Sequence, residues 1–463
     1  MSAVSPSAAL AGLMQLAGQP SEALESVELT GAEPALPSSF AVGTAAQASI
    51  AASAAAANEL WRLRTGRRQQ VSVPMRNAAV EFRSERYMRV DGKPVGESWD
   101  KIAGLYRSGD GRFVRLHTNF PHHRDGMLKL LGCDYDRAAV QKALDGWEAE
   151  KFETAAAEAG LVATATRSFA EWDAHPQGQA VASLPVFSIE RIGDAPVQPL
   201  PKGSRPLSGI KVLDLTRVIA GPVCGRTLAA HGADVMLVAG PHLPSIAPLV
   251  VDSGRGKLST FIDLRGTEGR ETLTALLRDA DIFVQGYRPG AIAGREFGPE
   301  AAAHIKPGIV YVTLSAYSHA GPWANRRGFD SLVQNANGLN IAEAEAFGSA
   351  QPKPLPAQAI DHASGYLLAF GAMTALARRA TEGGSWHVRV SLAQTGQWLR
   401  GLGRIDGIKA HDPELADVAD RIEESASGFG KLTAVRDAVA MSETQPHWER
   451  PSVPLGTHKP VWP

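Results

Sequence analysis

Apolar and polar positions along this chain change texture three times. Residues 44–64 are an almost unbroken run of small residues with a helical reading. The polar turn Thr65-Gly66-Arg67-Arg68 closes it, and an alternating strand follows over residues 70–74. Residues 84–192 mix short strands and helices. A turn at Ser108-Gly109-Asp110-Gly111 precedes a strand over 112–116, with helical patterns over 137–160 and 168–173. Residues 193–206 hold four prolines and two glycines, the chemistry of a linker.

Beyond the linker the pattern becomes regular. Strands are predicted over 210–215, 234–238, 259–264, 282–285 and 309–314, alternating with helices over 220–231, 266–278 and 299–305. That alternation predicts an α/β fold, a Rossmann-like doubly wound parallel sheet, with residues 84–192 as a smaller α+β domain. A further helix and strand over 361–379 and 387–391 repeat the layout of the early unit. Aligning Gly66 with Gly383 gives a constant offset of 317 residues. The domain plan is therefore a poorly ordered segment (1–35), a degenerate helix–strand unit (36–83), the small domain (84–192), the linker (193–206), the Rossmann-like domain (207–410) and a returning C-terminal segment (411–463).

Composition narrows the function. With 47 basic and 48 acidic residues in 463, there is no global field to draw in nucleic acid or an anionic membrane. An anionic ligand has to be held by local groups. The stretch 1–32 has no Lys or Arg to begin a secretory signal, and no apolar run is long enough to span a bilayer. Two widely separated cysteines, Cys133 and Cys224, suggest a reducing compartment, so the cytoplasm is expected.

Most candidate motifs fall away on inspection. The loop Ala220-Gly221-Pro222-Val223-Cys224-Gly225 lacks G-x-G-x-x-G, and the following strand ends at Ala239-Gly240 without an acidic residue. Both points argue against a nicotinamide cofactor. Gly254-Arg255-Gly256-Lys257 reads either as a basic turn or as a holder of a ligand phosphate. His117, His122 and His123 with Asp125 lack a second ligand pair, so a solvated loop is expected rather than a metal centre. No G-x-S-x-G elbow occurs. Asp361 stands before the small-residue run His362-Ala363-Ser364-Gly365, where it is either an N-cap or a carboxylate kept ionised at the positive end of a helix.

Several ordered stretches over nearly 200 residues resemble the family III CoA-transferases (CaiB/BaiF-like). That group includes formyl-CoA transferase, carnitine CoA-transferases and α-methylacyl-CoA racemase. The stretches are residues 207–217, Ala220-Gly221-Pro222, residues 228–235, Gly256-Lys257, Ile262-Asp263-Leu264, Tyr287-Arg288-Pro289-Gly290, Gly321-Pro322-Trp323, Gly328-Phe329-Asp330, and Asp361 with Gly365. Asp110-Gly111-Arg112-Phe113-Val114 and Pro454-Leu455-Gly456-Thr457-His458 resemble the family's small domain and its usual ending, but the order is rearranged.

The resemblance implies an enzyme in which Asp361 attacks an acyl-CoA thioester, forming an acyl–aspartyl anhydride and then an aspartyl-CoA thioester. It implies CoA contacts at Arg217, Ala220, Gly221, Pro222, Arg255, Lys257, Arg288 and Pro289, and oxyanion donors among backbone N–H groups near the helix start. Coenzyme A and carboxylates enter as substrates, with no permanently bound cofactor and no metal, and a homodimer is expected. The first repeat places Thr44 opposite Asp361, with no Asp or Glu between Glu33 and Glu59, so that copy is expected to be structural. There are departures: Ala239-Gly240-Pro241 where the family has a Glu, Arg255 for an Asn, and Ile219 for the Gln of formyl-CoA transferases. Phe329 replaces the His of the racemases. Since Phe cannot move a proton, transfer is expected over racemase or isomerase chemistry unless His362 substitutes; a non-catalytic CoA-binding protein is the other alternative.

Overall fold

A computed structural model describes residues 3–97 and 99–463. Its centre is a seven-stranded sheet of β1 (Phe187–Gly193), β2 (Lys211–Leu215), β3 (Asp234–Ala239), β4 (Lys257–Phe261), β5 (Ile282–Gln285), β6 (Val310–Ser315) and β7 (Ser385–Ser391). The spatial order is β4-β3-β2-β5-β6-β7-β1. The first six are mutually parallel, and β1 closes the edge antiparallel to β7. Runs such as Val235-Met236-Leu237-Val238 and Ile282-Phe283-Val284 are apolar at consecutive positions because helices cover both sheet faces. Strand order reverses between β2 and β5, so a crevice opens at their carboxyl ends.

Four helices frame the main core: α1 (Pro6–Leu16), α2 (Val42–Thr65), α3 (Ala220–Ala230) and α4 (Ala359–Glu382). Both ends of α2 and α4 are related by the 317-residue offset seen in the sequence. The residues preceding them share one backbone conformation, φ −75°, ψ 62° at Ala41 and φ −75°, ψ 60° at Gln358. The strand Val71–Pro74 after α2 pairs in parallel with Val27–Thr30, as β7 after α4 pairs with β6. Helices α2 and α4 make the most extensive helix–helix contact in the molecule. The alanine-rich α2 presents small side chains to that contact, and Val42–Trp61 is buried throughout.

The N-terminal segment expected to be poorly ordered is instead built into the core. Leu10, Leu13, Met14 and Ala17, one helical stripe, are buried, and α1 packs on α2 with Ser5 capping its start. The Ala- and Ser-rich composition hid that stripe. The unit expected over 84–192 is also divided. Only a stretch from about Ile102 to Ala165 has its own core, around a three-stranded antiparallel sheet of Gly104–Arg107, Phe113–Leu116 and Ala163–Ala165. Trp172 and Val181 pack into the main core, while Arg89–Val90 joins the late hairpin Ile422–Ser427/Gly430–Val435.

Gly365, in the second turn of α4, meets the start of α3. An added Cβ would lie 2.6 Å from the Ala220 carbonyl oxygen and 2.7 Å from Val223 Cβ. Gly365→Ala is expected to lower stability by about 1–3 kcal/mol, because the obstructing atoms are backbone and a β-branched stem. Chemical denaturation reads this, and an unchanged midpoint would show that the two helices slide freely.

Candidate functional site

The crevice at the strand ends is a cavity of about 360 Å³. Leu215 at the end of β2, Gly286 after β5, and Leu314 and Ser315 at the end of β6 form its floor. Its walls carry Arg217, Arg265, Arg288, Arg295, Arg326 and Arg327, and Asp361 is the sole carboxylate among its described lining residues. Arg217 donates to the Pro244 carbonyl and lies 4.5 Å over the Phe120 ring. Burial pushes its pKa down, as it does for Arg327, where the nearby Arg288 adds repulsion. Arg265 is held by Asp263 and Arg326 lies 3.8 Å from Glu153, but Arg217 and Arg327 are partly desolvated guanidinium groups without a carboxylate partner among the described residues, and such groups are a receptor for phosphates. A second cavity, also about 360 Å³, opens between the 85–97 segment and the α3 approach loop. Asp361, Val218, Ile219 and Phe329 line both.

Asp361 is 6% exposed. It is not the N-cap: α4 begins at Ala359 with Gln358 as its cap residue. Capping is done from outside by Asp330, whose carboxylate accepts the Asp361 backbone N–H at 2.9 Å and is also bonded by Gln334. In the first repeat Glu33 does the same for α2, accepting the Thr44 N–H at 2.6 Å. Among the described residues nothing donates to the Asp361 carboxylate itself. Burial, then the charges of Asp330 and Glu85, raise its pKa well above the usual carboxylate range. Burial likewise raises Asp330. The expectation that the helix terminus keeps Asp361 ionised is thus corrected: desolvation and two like charges outweigh the dipole.

The backbone N–H groups expected to stabilise an oxyanion are already engaged. That of Asp361 goes to Asp330, which Ile360 also approaches, and that of His362 to the Gln358 carbonyl at 3.0 Å.

The predicted CoA contacts separate into three sets. Arg217, Ala220, Arg288 and Pro289 line the arginine-rich cavity with Asp361. Gly221 and Pro222 shape the turn behind it; a Cβ on Gly221 would lie 2.3 Å from Thr216 Cβ. Arg255 and Lys257 line neither of these two cavities. Lys257 Nζ is buried against Asp214 and the Pro222 carbonyl, each at 2.8 Å. Arg255 is held by the Val435 carbonyl at 2.7 Å, by Asp252 and by the Trp448 ring at 4.0 Å. Both cations are consumed by internal partners.

The histidine loop is not solvated as expected. His117 and His123 are buried; His117 lines the second cavity, while His122 and His123 line the first. Among the described residues no group of three His, Cys, Asp or Glu is placed to hold a metal ion, and no helix is long and apolar enough to cross a membrane. His362, the alternative to the missing racemase histidine, lines neither cavity itself: it faces Glu85, a wall residue of the second cavity, at 3.2 Å and stacks on Phe82. Sequence reasoning missed Val218, a β-branched residue at φ 74° lining both cavities, a conformation costing ~1–3 kcal/mol. It also missed Arg326 and Arg327, although they adjoin the matched Gly328-Phe329-Asp330.

Comparison with known proteins finds relatives named as acyl-CoA and CoA transferases. An acetyl-coenzyme A transferase of Hypoxylon pulicicidum is 30% identical over 66% of this chain and 55% of its own length. A probable fatty acyl-CoA transferase of Mycobacterium tuberculosis is 29% identical over 54% of this chain and 69% of its own. A formyl-CoA:oxalate CoA-transferase of Escherichia coli is 31% identical over 41% and 48%. The chain thus spans roughly half to two thirds of the length of the curated relatives it matches. Among solved structures, the Mycobacterium tuberculosis protein aligns at 29% identity over 43% of this chain and 58% of its own, with a TM-score of 0.38. A CaiB/BaiF family protein of Brucella suis aligns at 24% over 50% and 65%, also at 0.38. The model of CoA-transferase family III matches residues 6–198 and 207–411, the N-terminal repeat included, and with that coverage the chain belongs to this family.

Proposed function

We propose that the protein moves CoA between an acyl-CoA and a carboxylic acid, with Asp361 as the covalent nucleophile. One observation carries this reading: an unpartnered carboxylate stands where an arginine-rich cavity meets a second cavity. The arginines take the phosphates of CoA, which brings the thioester to Asp361, while acyl and acceptor groups occupy the second cavity. Asp361 attacks the carbonyl carbon, the C–S bond breaks, and the CoA thiolate leaves an acyl–aspartyl anhydride. The thiolate then attacks the aspartyl carbonyl, releasing the first acid and leaving an aspartyl-CoA thioester. The acceptor carboxylate attacks that thioester, giving a second anhydride from which the returning thiolate forms the new acyl-CoA. Each step replaces one activated acyl group by another of similar energy. Phe329 at the cavity wall, without a transferable proton, favours this over racemisation.

Incubation with pairs of acyl-CoA and carboxylate, followed by mass spectrometry of the peptide bearing Asp361, tests the proposal. An acyl or CoA adduct on that peptide is expected, and its absence for every pair that exchanges CoA would overturn the assignment. Because the raised pKa leaves Asp361 protonated over a wider range, the nucleophilic form is lost as pH falls through that pKa. Below it kcat/KM should fall about tenfold per pH unit, with the acid limb above the ordinary aspartate range near ~3.9.

A further inference from the structure

We propose that His117 is a catalytic residue of the transfer, donating a hydrogen bond from its ring to the acyl oxygen as Asp361 attacks the thioester. The inference rests on the covalent reading above and names the oxyanion donor that reading leaves without an owner.

Three observations lead to it. First, the tetrahedral intermediate needs a donor beside Asp361, and the N–H groups of Ile360, Asp361 and His362 are taken by Asp330 and Gln358. Second, His117 lies at the wall of the second cavity together with Asp361, 3% exposed and held flat on Phe329 at 3.8 Å between ring centroids, with 9° between planes. Its backbone is tied to Val162, and Trp99 packs against it edge-on at 5.9 Å. The ring is fixed by packing rather than by polar bonds, as a preorganised donor should be. Third, its polar atoms are uncommitted. Nδ1 is sealed from solvent without a hydrogen-bond partner, apart from a weak influence of its own backbone. Nε2 makes no hydrogen bond among the described residues, and the residue lines the second cavity.

The protonation state fits a donor and not a base. Burial, then His123 and Arg115, push the imidazole pKa down to about 3, so the ring is neutral at physiological pH and carries one N–H. The donor role places the single ring proton on Nε2. In the step itself the aspartyl C–O bond forms and the carbonyl π pair moves to oxygen. The Nε2–H bonds that oxygen without transferring its proton, and the pair returns as the C–S bond breaks. The ring stacks on the residue that replaces the racemases' histidine, so an imidazole reaches the site from another part of the chain with a different task.

The test uses the full-length protein with acetyl-CoA and hexanoyl-CoA as probes, following acylation of the Asp361 peptide in a single turnover. His117→Phe keeps an aromatic ring on Phe329 and removes both nitrogens; His117→Gln keeps an N–H donor. We expect His117→Phe to slow acylation about 10²-fold, with half-saturating acyl-CoA within about threefold of wild type and an unchanged thermal midpoint. His117→Gln should recover at least about tenfold of that loss. Wild-type acylation in His117→Phe, equal losses in both variants, or a loss tracked by the thermal midpoint would each overturn the donor role. Absence of any adduct in the wild-type protein would instead overturn the covalent reading itself.

Discussion

Replacing Asp361 by asparagine is expected to abolish CoA exchange while making the protein more stable. Loss of a covalent nucleophile typically costs about 10⁴- to 10⁶-fold in turnover. The amide keeps the shape of the side chain and the approach to both cavities, so acyl-CoA binding measured by calorimetry should stay within a few-fold. The stability gain follows from the site's electrostatics. A carboxyl whose folded pKa is raised holds its proton more tightly when folded, so its ionisation works against the fold as pH climbs from the unfolded value through the folded one. Asparagine removes that penalty, and also the repulsion with Asp330 and Glu85. The thermal midpoint at pH 7 should rise by about 2 °C, with the gain vanishing well below the unfolded value of ~3.9, where Asp361 is protonated in both states. Unchanged turnover would remove the nucleophile; a lower midpoint at pH 7 would mean that the carboxylate is a structural partner after all.

Lys257→Met should have the opposite profile, a large stability cost with little effect on ligand affinity. The change leaves the Asp214 carboxylate fully buried, with the Thr216 hydroxyl as its remaining bonded partner. Breaking one side of a buried pair costs about 3–5 kcal/mol, read as a shift of the denaturant midpoint. Gly225 has no Cβ because one would sit 2.3 Å from that carboxylate, so the pair is locked beneath α3. Replacing both members, Lys257→Met with Asp214→Leu, should restore much of the loss, since the penalty belongs to the stranded charge. A steep rise in half-saturating acyl-CoA with an unmoved midpoint would return Lys257 to the ligand.

These two residues show what the sequence could disclose. Asp361 was legible because its surroundings are local: small residues follow it, and ordered motifs precede it. The parallel sheet was legible because strands buried on both faces write consecutive apolar residues into the chain. The burial of Lys257 was not legible because its partner Asp214 is 43 residues away, and a lysine held by an internal carboxylate looks the same in sequence as one awaiting a phosphate. The ionisation of Asp361 was misjudged for the same reason. The helix terminus is a local feature, whereas Asp330 and Glu85 arrive through the fold. His117 was noticed only as part of a histidine loop expected to be solvated, and its stacking on Phe329 comes from the fold.

The twin helices α2 and α4 imply a molecule with a single working end. Thr44 occupies the place of Asp361, but restoring an acid there would not create a second reaction centre. Around the neighbouring Gly43, Ala35, Glu33 and Met75 stand within 3.0 Å of where a methyl group would project, so no substrate could enter. The first helix keeps the backbone path of the second without a vestibule beside it, and serves as the packing surface along which α4 lies.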